Sequence, residues 1–182
     1  MWSVIDEADR LQWNYVPFEN VGPLRYGMSH DAAATAMAAQ GFAGTDGSMS
    51  RTHGALAERA DFRTNGAPSY ATSVTGYYRK SGELACVAVD ALLGPQVSVG
   101  EVQLIGRAPT TLADQFHDYT ERLGMTRAFS VEGDAVSDEL GVMVRAQRAG
   151  DILLTRAFFV GPFQDWAYTL HDCVPADEWD IR

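Results

Sequence analysis

The residues near the C-terminus whose types could support catalysis are His171, Asp172 and Cys173, which place a base beside a thiol. An imidazole that can take the thiol proton turns a cysteine into a nucleophile. Adjacent residues on a strand point to opposite faces, so these side chains would meet only if a turn brought them together. The chain also contains no Gly-x-Ser-x-Gly, phosphate-loop, dinucleotide-binding, His-Glu-x-x-His or EF-hand motif. We therefore expect no catalytic residue and no bound cofactor.

A second group of chemistry-bearing residues lies on one predicted helix. Asp114, Asp118 and Glu121 follow each other at i, i+4 and i+7, with His117 and Arg122 beside them. Carboxylates and imidazoles bind metal ions, but a metal site would need further ligands from elsewhere, and the sequence offers no second half of such a site. The simpler interpretation is a solvated helix face. We predict no metal site and keep the three acids as a weaker candidate for partner binding.

Aromatic residues are interleaved with carboxylates in the C-terminal segment. Such a segment either packs its aromatics into the core and leaves its acids outside, or forms a protein-binding edge. In the second case the aromatics anchor the partner and the carboxylates meet its Arg or Lys side chains. The leading candidates for partner binding are Asp172, Asp177, Glu178, Trp179 and Asp180.

The charge balance restricts the class of partner. Among 182 residues, 14 Lys and Arg stand against 24 Asp and Glu, a formal net charge of −10 with neutral histidines. Nucleic acids and anionic membranes attract clusters of basic residues, so this charge argues against both as partners. It leaves open a basic protein, whose opposite field would speed encounter, although many soluble bacterial proteins are simply acidic.

The termini and cysteines bear on the compartment. The start of the chain is acidic and lacks the basic and apolar regions of a signal peptide, and no stretch approaches the roughly eighteen apolar residues of a membrane span. Cys86 lies in an apolar run, where a thiol behaves as a small buried hydrophobe, and no Cys-x-x-Cys pair occurs. We expect a cytoplasmic protein.

Turn and capping residues divide the chain into elements. Ser29 is the natural N-cap of one helix, and Thr111 with Asp114 makes an approximate capping box for the next. Gly41 and Gly124 fit the left-handed residues that end these helices. The predicted elements, in chain order, are a short helix over 3–13, an extended segment over 14–18, a helix over 32–40, a stretch over 43–69 that is mostly loop with one short element around 54–59, a hairpin over 70–93, a helix over 111–123 and a hairpin over 141–160.

Two stretches, 21–93 and 102–160, follow one plan of glycine-containing lead-in, capped helix, loop and hairpin. We interpret them as an internal pseudo-repeat within a single domain of residues 1–182, with an N-terminal helical extension at 1–14 and a C-terminal tail at 161–182. This order predicts an α+β fold in which two similar helix-plus-β-hairpin halves form an antiparallel sheet with helices packed on one face.

Three short motifs carry a resemblance to a known family. The segment Val21-Gly22-Pro23-Leu24-Arg25-Tyr26-Gly27-Met28-Ser29 resembles the VGPLRFGM(S/T) opening of small cytoplasmic bacterial proteins encoded beside polymorphic or contact-dependent toxin genes and taken as immunity proteins. Residues 82–89 are similar to the DGRVEFIEV strand of that family, and residues 104–109 to its LFGRP step. The Tyr26–Ser29 step also looks like the helix start of tandem-repeat β-lactamase-inhibitor-like folds.

The resemblance implies an immunity protein that neutralises a cognate toxin by direct binding and is not an enzyme. It implies a toxin domain as partner, for which the acidic charge predicts a basic surface, and it gives Gly27 and Gly106 a role in backbone geometry. An alternative is a small-molecule-binding module or enzyme with a pocket between sheet and helices, and a structural adaptor is a third class. The pocket would be lined by Tyr77, Tyr78, Phe158, Phe159 and Trp166, although these aromatics would also suit a core.

Overall fold

A computed structural model of the chain describes residues 3–45, 48–49, 56–162 and 167–180. A 3-10 helix at Glu7–Asp9 precedes the first strand. The first half then forms β1 (Gln12–Val16), β2 (Asn20–Val21), β3 (Leu24–Arg25), α1 (His30–Ala39), β4 (Phe42–Gly44), β5 (Ser48–Met49), β6 (Leu56–Thr64), β7 (Val74–Arg79) and β8 (Leu84–Val89). The second half forms β9 (Gln96–Val99), β10 (Val102–Gln103), α2 (Pro109–Arg122), β11 (Ala128–Phe129), β12 (Ala135–Ser137), β13 (Val142–Ala149), β14 (Ile152–Val160), α3 (Leu170–Cys173) and α4 (Ala176–Trp179).

The strands make two sheets, and the fold is α+β as predicted. The larger sheet has the order β11-β12-β13-β14-β8-β7-β6-β4, with β5 also paired to β6, and all its pairings are antiparallel. The smaller sheet has the order β10-β9-β1-β2-β3, in which β1 and β9 run parallel. Each half contains a hairpin, and the last strands of the two hairpins, β8 and β14, pair at the centre of the larger sheet.

Both predicted hairpins are confirmed. The strands β7 and β8 are joined through the turn at residues 80–83, and β13 and β14 pair as far as Ala149 and Ile152. Three strands lie between α1 and its hairpin and two between α2 and its hairpin, and the internal pseudo-repeat over 21–93 and 102–160 stays a prediction.

Two predicted elements are wrong. The helix over 3–13 is replaced by one 3-10 turn and by β1, because Trp13 and Tyr15 alternate inward with exposed neighbours. The stretch over 43–69, predicted as mostly loop with one short element around 54–59, contains β4, β5 and β6, and β6 overlaps that short element. Residues 46–47 and 50–55 lie outside the described part. In β6 the buried Ala60 and Phe62 alternate with charged residues, and the many charges masked this weak apolar period.

The caps of the two long helices differ from each other. Ser29 caps α1 as predicted, its hydroxyl accepting from the amide of Ala32 at 3.2 Å. The predicted capping box of α2 is wrong, because Pro109 lies in its first turn and the helix starts after Ala108, before Thr111. Proline favours a first-turn position, where its missing N–H has no partner to lose.

Each face of the larger sheet has its own core. The face under α1 and α2 buries Met37, Leu112 and Phe116 against Val87 and Phe159. The opposite face buries Tyr77, Met143 and Phe158 under α3, through Leu170 and Cys173. The long helices therefore share one face, as predicted, and the C-terminal segment covers part of the other. None of the helices in the described ranges is both long and apolar enough to cross a membrane.

Glycines in the two motifs over 21–29 and 104–109 support backbone turns. Gly27 and Gly106 have φ of +86° and +70°, in the left-handed region that favours glycine, which agrees with their predicted role in backbone geometry. Gly22 has φ of +54° and in addition lies against Trp13, whose ring atoms would be 2.4 Å from an added Cβ. The space at Gly27 is open, since no atom lies within 4 Å of such a Cβ.

We expect Gly22→Ala to destabilise the protein more than Gly27→Ala. Both variants force an alanine to positive φ, which costs about 1–2 kcal/mol. Only Gly22→Ala also displaces a buried indole, for which overpacking adds about 1–3 kcal/mol. Urea denaturation followed by far-UV circular dichroism measures both losses, and equal losses would contradict the close contact with Trp13.

Candidate functional site

Exposed apolar side chains lie at one edge of the larger sheet, next to α2 and to the C-terminal segment, which carry the two sets of predicted partner-binding residues. Its last strand is β11, which leads through a turn into β12. Val131 in this turn is 83% exposed, Tyr168 before α3 is 93% exposed, and Leu123 and Phe129 are about half exposed. We call this region the β11 edge: residues 123–138 together with residues 167–172.

The acidic residues of α2 lie on one side of the β11 edge. Asp114, Asp118 and Glu121 are exposed, while Leu112 and Phe116 on the opposite side of the helix are buried. The prediction of a solvated acidic helix face is therefore confirmed. Between β10 and this helix lies an open polar groove of about 360 Å³, and Arg122 forms an ion pair with Glu101 across it.

The side chain of His117 connects α2 to the edge strand. It is buried, and its ring lies 4.9 Å from that of Phe129. Burial lowers the pKa of His117 below its ordinary value, and the charge of Arg127 lowers it further. The imidazole therefore acts as a neutral packing group beneath Phe129, and Arg127 stacks over the same phenyl ring at 5.1 Å.

The C-terminal segment lies on the other side of the edge and is held by buried ion pairs. Glu178 is 1% exposed and binds the guanidinium of Arg156 and the hydroxyl of Tyr77. Asp177 is 7% exposed and accepts a hydrogen bond of 3.1 Å from Arg59. These two acids therefore face the sheet, which corrects the expectation that they meet a partner: their charges are already compensated within the chain.

The remaining predicted residues of this segment are accessible. Asp172 is exposed and accepts hydrogen bonds from the backbone amides of Tyr168 at 3.1 Å and Thr169 at 3.0 Å, which hold the pKa of its carboxyl below the ordinary value. Asp180 is exposed as well. Trp179 is partly buried, with its ring 4.7 Å from that of His171.

Arg145 on β13 ties the two sides of the edge together. Its Nε donates to Asp134 at 2.9 Å, and the same guanidinium binds Glu132. Arg145 therefore stabilises the turn between β11 and β12. Its Nη1 donates to the carbonyl oxygen of Glu178 at 2.5 Å, and the guanidinium stacks 5.0 Å from the ring centre of Trp179. One side chain therefore fixes the turn relative to α4.

The base and the thiol near the C-terminus do not form a nucleophilic pair. His171 is exposed beside Trp179, whereas Cys173 is buried, and burial raises the pKa of the Cys173 thiol to about 12. Cys86 is buried too, as predicted, and both thiols are free. Within the described residues, no three His, Cys, Asp or Glu side chains are grouped to hold a metal ion.

The aromatic residues suggested for a pocket are divided between the two cores. Tyr77 and Phe158 belong to the core under the C-terminal segment, and Tyr78 and Phe159 to the core under the long helices. Neighbouring strand residues point to opposite faces, so these pairs cannot line one cavity. Trp166 lies outside the described residues.

Sequence reasoning missed the residues that organise this site, namely Arg145, Arg156 and Phe129. A signal for the arginines was present, because each lies inside a predicted strand of an antiparallel hairpin between apolar neighbours. A cation at such a position needs a counter-charge. The counter-charge of Arg156 is Glu178 in the C-terminal segment, and the counter-charges of Arg145 are Glu132 and Asp134 in the β11–β12 turn.

We expect Glu178→Gln to lower the free energy of unfolding by about 3–5 kcal/mol, because Arg156 would stay buried without its counter-charge. The control is Glu101→Gln, which breaks the exposed pair with Arg122 and should leave the urea midpoint unchanged. An equal shift of the midpoint in the two variants would show that Glu178 and Arg156 behave as an ordinary surface pair.

His117 gives the protein a stability that depends on pH. Since its pKa is lowered in the folded state, the unfolded chain binds a proton first as the pH falls through about 6.5, and stability drops. We expect His117→Phe to reduce the loss of unfolding free energy between pH 7 and pH 5. Urea titrations at both pH values test this, and identical losses in the wild type and the variant would contradict it.

Comparison with known proteins does not indicate a function for the chain. No protein-family model, curated protein or solved structure matches the chain.

Proposed function

We propose that the protein is an immunity protein, which neutralises a cognate bacterial toxin by binding it directly and blocking its active site or a required surface. The observation that carries the proposal is the β11 edge. Exposed apolar side chains are gathered there between two surfaces that bear exposed carboxylates. The resemblance of the Val21–Ser29 motif to immunity-type proteins supports the same function.

The apolar side chains supply the anchoring part of the proposed interface. Exposed apolar groups at one place mark interaction surfaces more often than scattered ones do. Phe129 and Tyr168 are aromatic, the residue class that most often dominates binding energy when a partner covers it. Phe129 is also supported from beneath by the ring of His117, so it offers a firm contact.

The carboxylates supply attraction and selectivity. Asp114, Asp118 and Glu121 lie on one side of the edge, and Asp138 and Asp172 are exposed on the other. An acidic field speeds encounter with a cationic partner and disfavours acidic ones. The partner is therefore a toxin domain with a basic surface, and the encounter takes place in the cytoplasm. The proposal assigns no catalytic residue and no role to nucleic acid or a membrane.

We expect removal of the α2 carboxylates to slow the capture of the toxin. The triple variant Asp114→Asn/Asp118→Asn/Glu121→Gln should reduce the association rate constant about tenfold at low salt, with a smaller effect at high salt. Surface plasmon resonance with the toxin domain encoded by the neighbouring gene measures both rates. Size-exclusion chromatography of the mixture checks that a complex forms.

A matched variant distinguishes the effect of the α2 carboxylates on binding from the effect of the overall net charge. Asp9→Asn/Glu19→Gln/Asp151→Asn removes the same number of negative charges from exposed positions that lie neither on α2 nor at the β11 edge. It should bind the toxin at nearly the wild-type rate. Equal slowing by both triple variants would argue against α2 as the contact, and failure of the wild type to bind or to protect cells from the toxin would refute the proposed function.

The groove between β10 and α2 favours a second candidate, a small-molecule-binding module. Its volume of about 360 Å³ lies in the range of about 300–1,000 Å³ that is typical of ligand sites. Arg107 and Gln115 both line it, and it is open to solvent. A rise in melting temperature with one member of a metabolite panel, lost in Arg107→Gln, would favour this function over toxin binding.

A further inference from the structure

A small cavity opens at the β11 edge, between α3 and the strands β11 and β12. Its volume is about 180 Å³, below the range of about 300–1,000 Å³ typical of sites for whole small molecules. A cavity of this size suits one inserted side chain. The residues that line it include Phe129, Val136, Asp138, Met143 and Leu170.

The walls of the cavity are largely apolar. Val136, Met143 and Leu170 are buried at its base, and the half-exposed Phe129 forms one side. An unbranched aliphatic chain would contact these groups over its whole length. Apolar walls alone do not select an occupant, so the choice depends on the polar groups.

Asp138 supplies the charge. It is exposed, and its Oδ1 accepts the backbone N–H of Leu170 at 2.9 Å. Within the described part of the chain its Oδ2 has no hydrogen-bond or ion-pair partner. The hydrogen bond to α3 holds the carboxylate in place, and the second oxygen remains available to a ligand. This is a fixed negative charge beside an apolar cavity.

We propose that this cavity receives a lysine or arginine side chain of the protein partner. Such side chains bury their methylene stems along apolar surface and keep the charged head at the water interface. The stem would contact Phe129 and Met143, and the head would bind Oδ2 of Asp138 by a charge-assisted hydrogen bond. The chain already pairs a guanidinium with Phe129, through Arg127, so this ring accepts cations.

The inference deepens the proposed function, on which it rests for the identity of the partner, but its test needs no toxin. The probes are n-butylguanidinium, its neutral isostere n-butylurea and guanidinium itself, each titrated into the full-length protein. Methyl resonances of Val136, Met143 and Leu170 report binding by NMR. We expect saturable shifts with n-butylguanidinium and weaker binding of both n-butylurea, which lacks the charge, and guanidinium, which lacks the stem.

Asp138→Asn tests the carboxylate without removing its structural role, because the amide oxygen can still accept from Leu170. We expect the affinity for n-butylguanidinium to fall about tenfold, as for the loss of a hydrogen bond to a charged group. The control is Glu139→Gln, which removes the neighbouring exposed charge and should leave the affinity unchanged.

Equal affinities for n-butylguanidinium and n-butylurea would overturn the proposal, as would an unchanged affinity in Asp138→Asn or the absence of saturable shifts. These results are separate from those that test the proposed function. Probe binding without toxin neutralisation would leave the cavity assignment standing and refute the immunity function. If the Asp138→Asn variant still neutralised the toxin as well as the wild type, the proposed function would be supported and the contact at Asp138 would be rejected.

Discussion

The buried ion pair between Arg156 and Glu178 is the constraint on which the geometry of the site depends. Arg156 lies inside the central sheet, where an uncompensated guanidinium would be strongly destabilising, so the C-terminal segment must return across the sheet to supply its carboxylate. Tyr77 donates to the same carboxylate, and Arg59 binds Asp177 next to it. The ion pairs that hold the C-terminal segment against the sheet also place Leu170 and Cys173 on the apolar part of that face. The segment is therefore part of the fold rather than a free tail.

Arg145 extends this constraint to the surface. It contacts the carbonyl of Glu178 and the ring of Trp179 on one side, and Asp134 in the β11–β12 turn on the other. A planar guanidinium with five donors can satisfy such separate acceptors at once, which an ammonium group could not do with the same geometry. The cavity beside Asp138 lies between α3 and the strands β11 and β12, and Arg145 holds the turn that joins these two strands.

Local chemistry made part of the fold predictable. Ser29 and Gly41 lie at the two ends of α1, and the turn at 80–83 joins two neighbouring strands, so these elements depend on residues close to them in the sequence. The first long helix and its hairpin were therefore found from sequence. Only a short element around 54–59 was expected where β6 lies, because the polar positions of this strand are satisfied by distant groups: Arg59 by Asp177, and Asp61 by Thr75 at 2.8 Å. The prediction for the C-terminal acids failed at Asp177 and Glu178 for the same reason. Sequence showed which acids were present, but only the strand register revealed which of them face arginines.

The charges beside the edge strand β11 determine how another protein could contact this edge of the sheet. An open sheet edge invites pairing with another strand, and proteins reduce this risk with short edge strands and nearby charge. The strand β11 has two residues and charged groups on both sides, so its backbone is a poor template for β-pairing. Its exposed side chains are therefore what a partner would contact, and carboxylates on both faces would orient a basic surface across the edge. The two acidic patches, separate in sequence, form the two sides of the proposed recognition edge, with Phe129 between them.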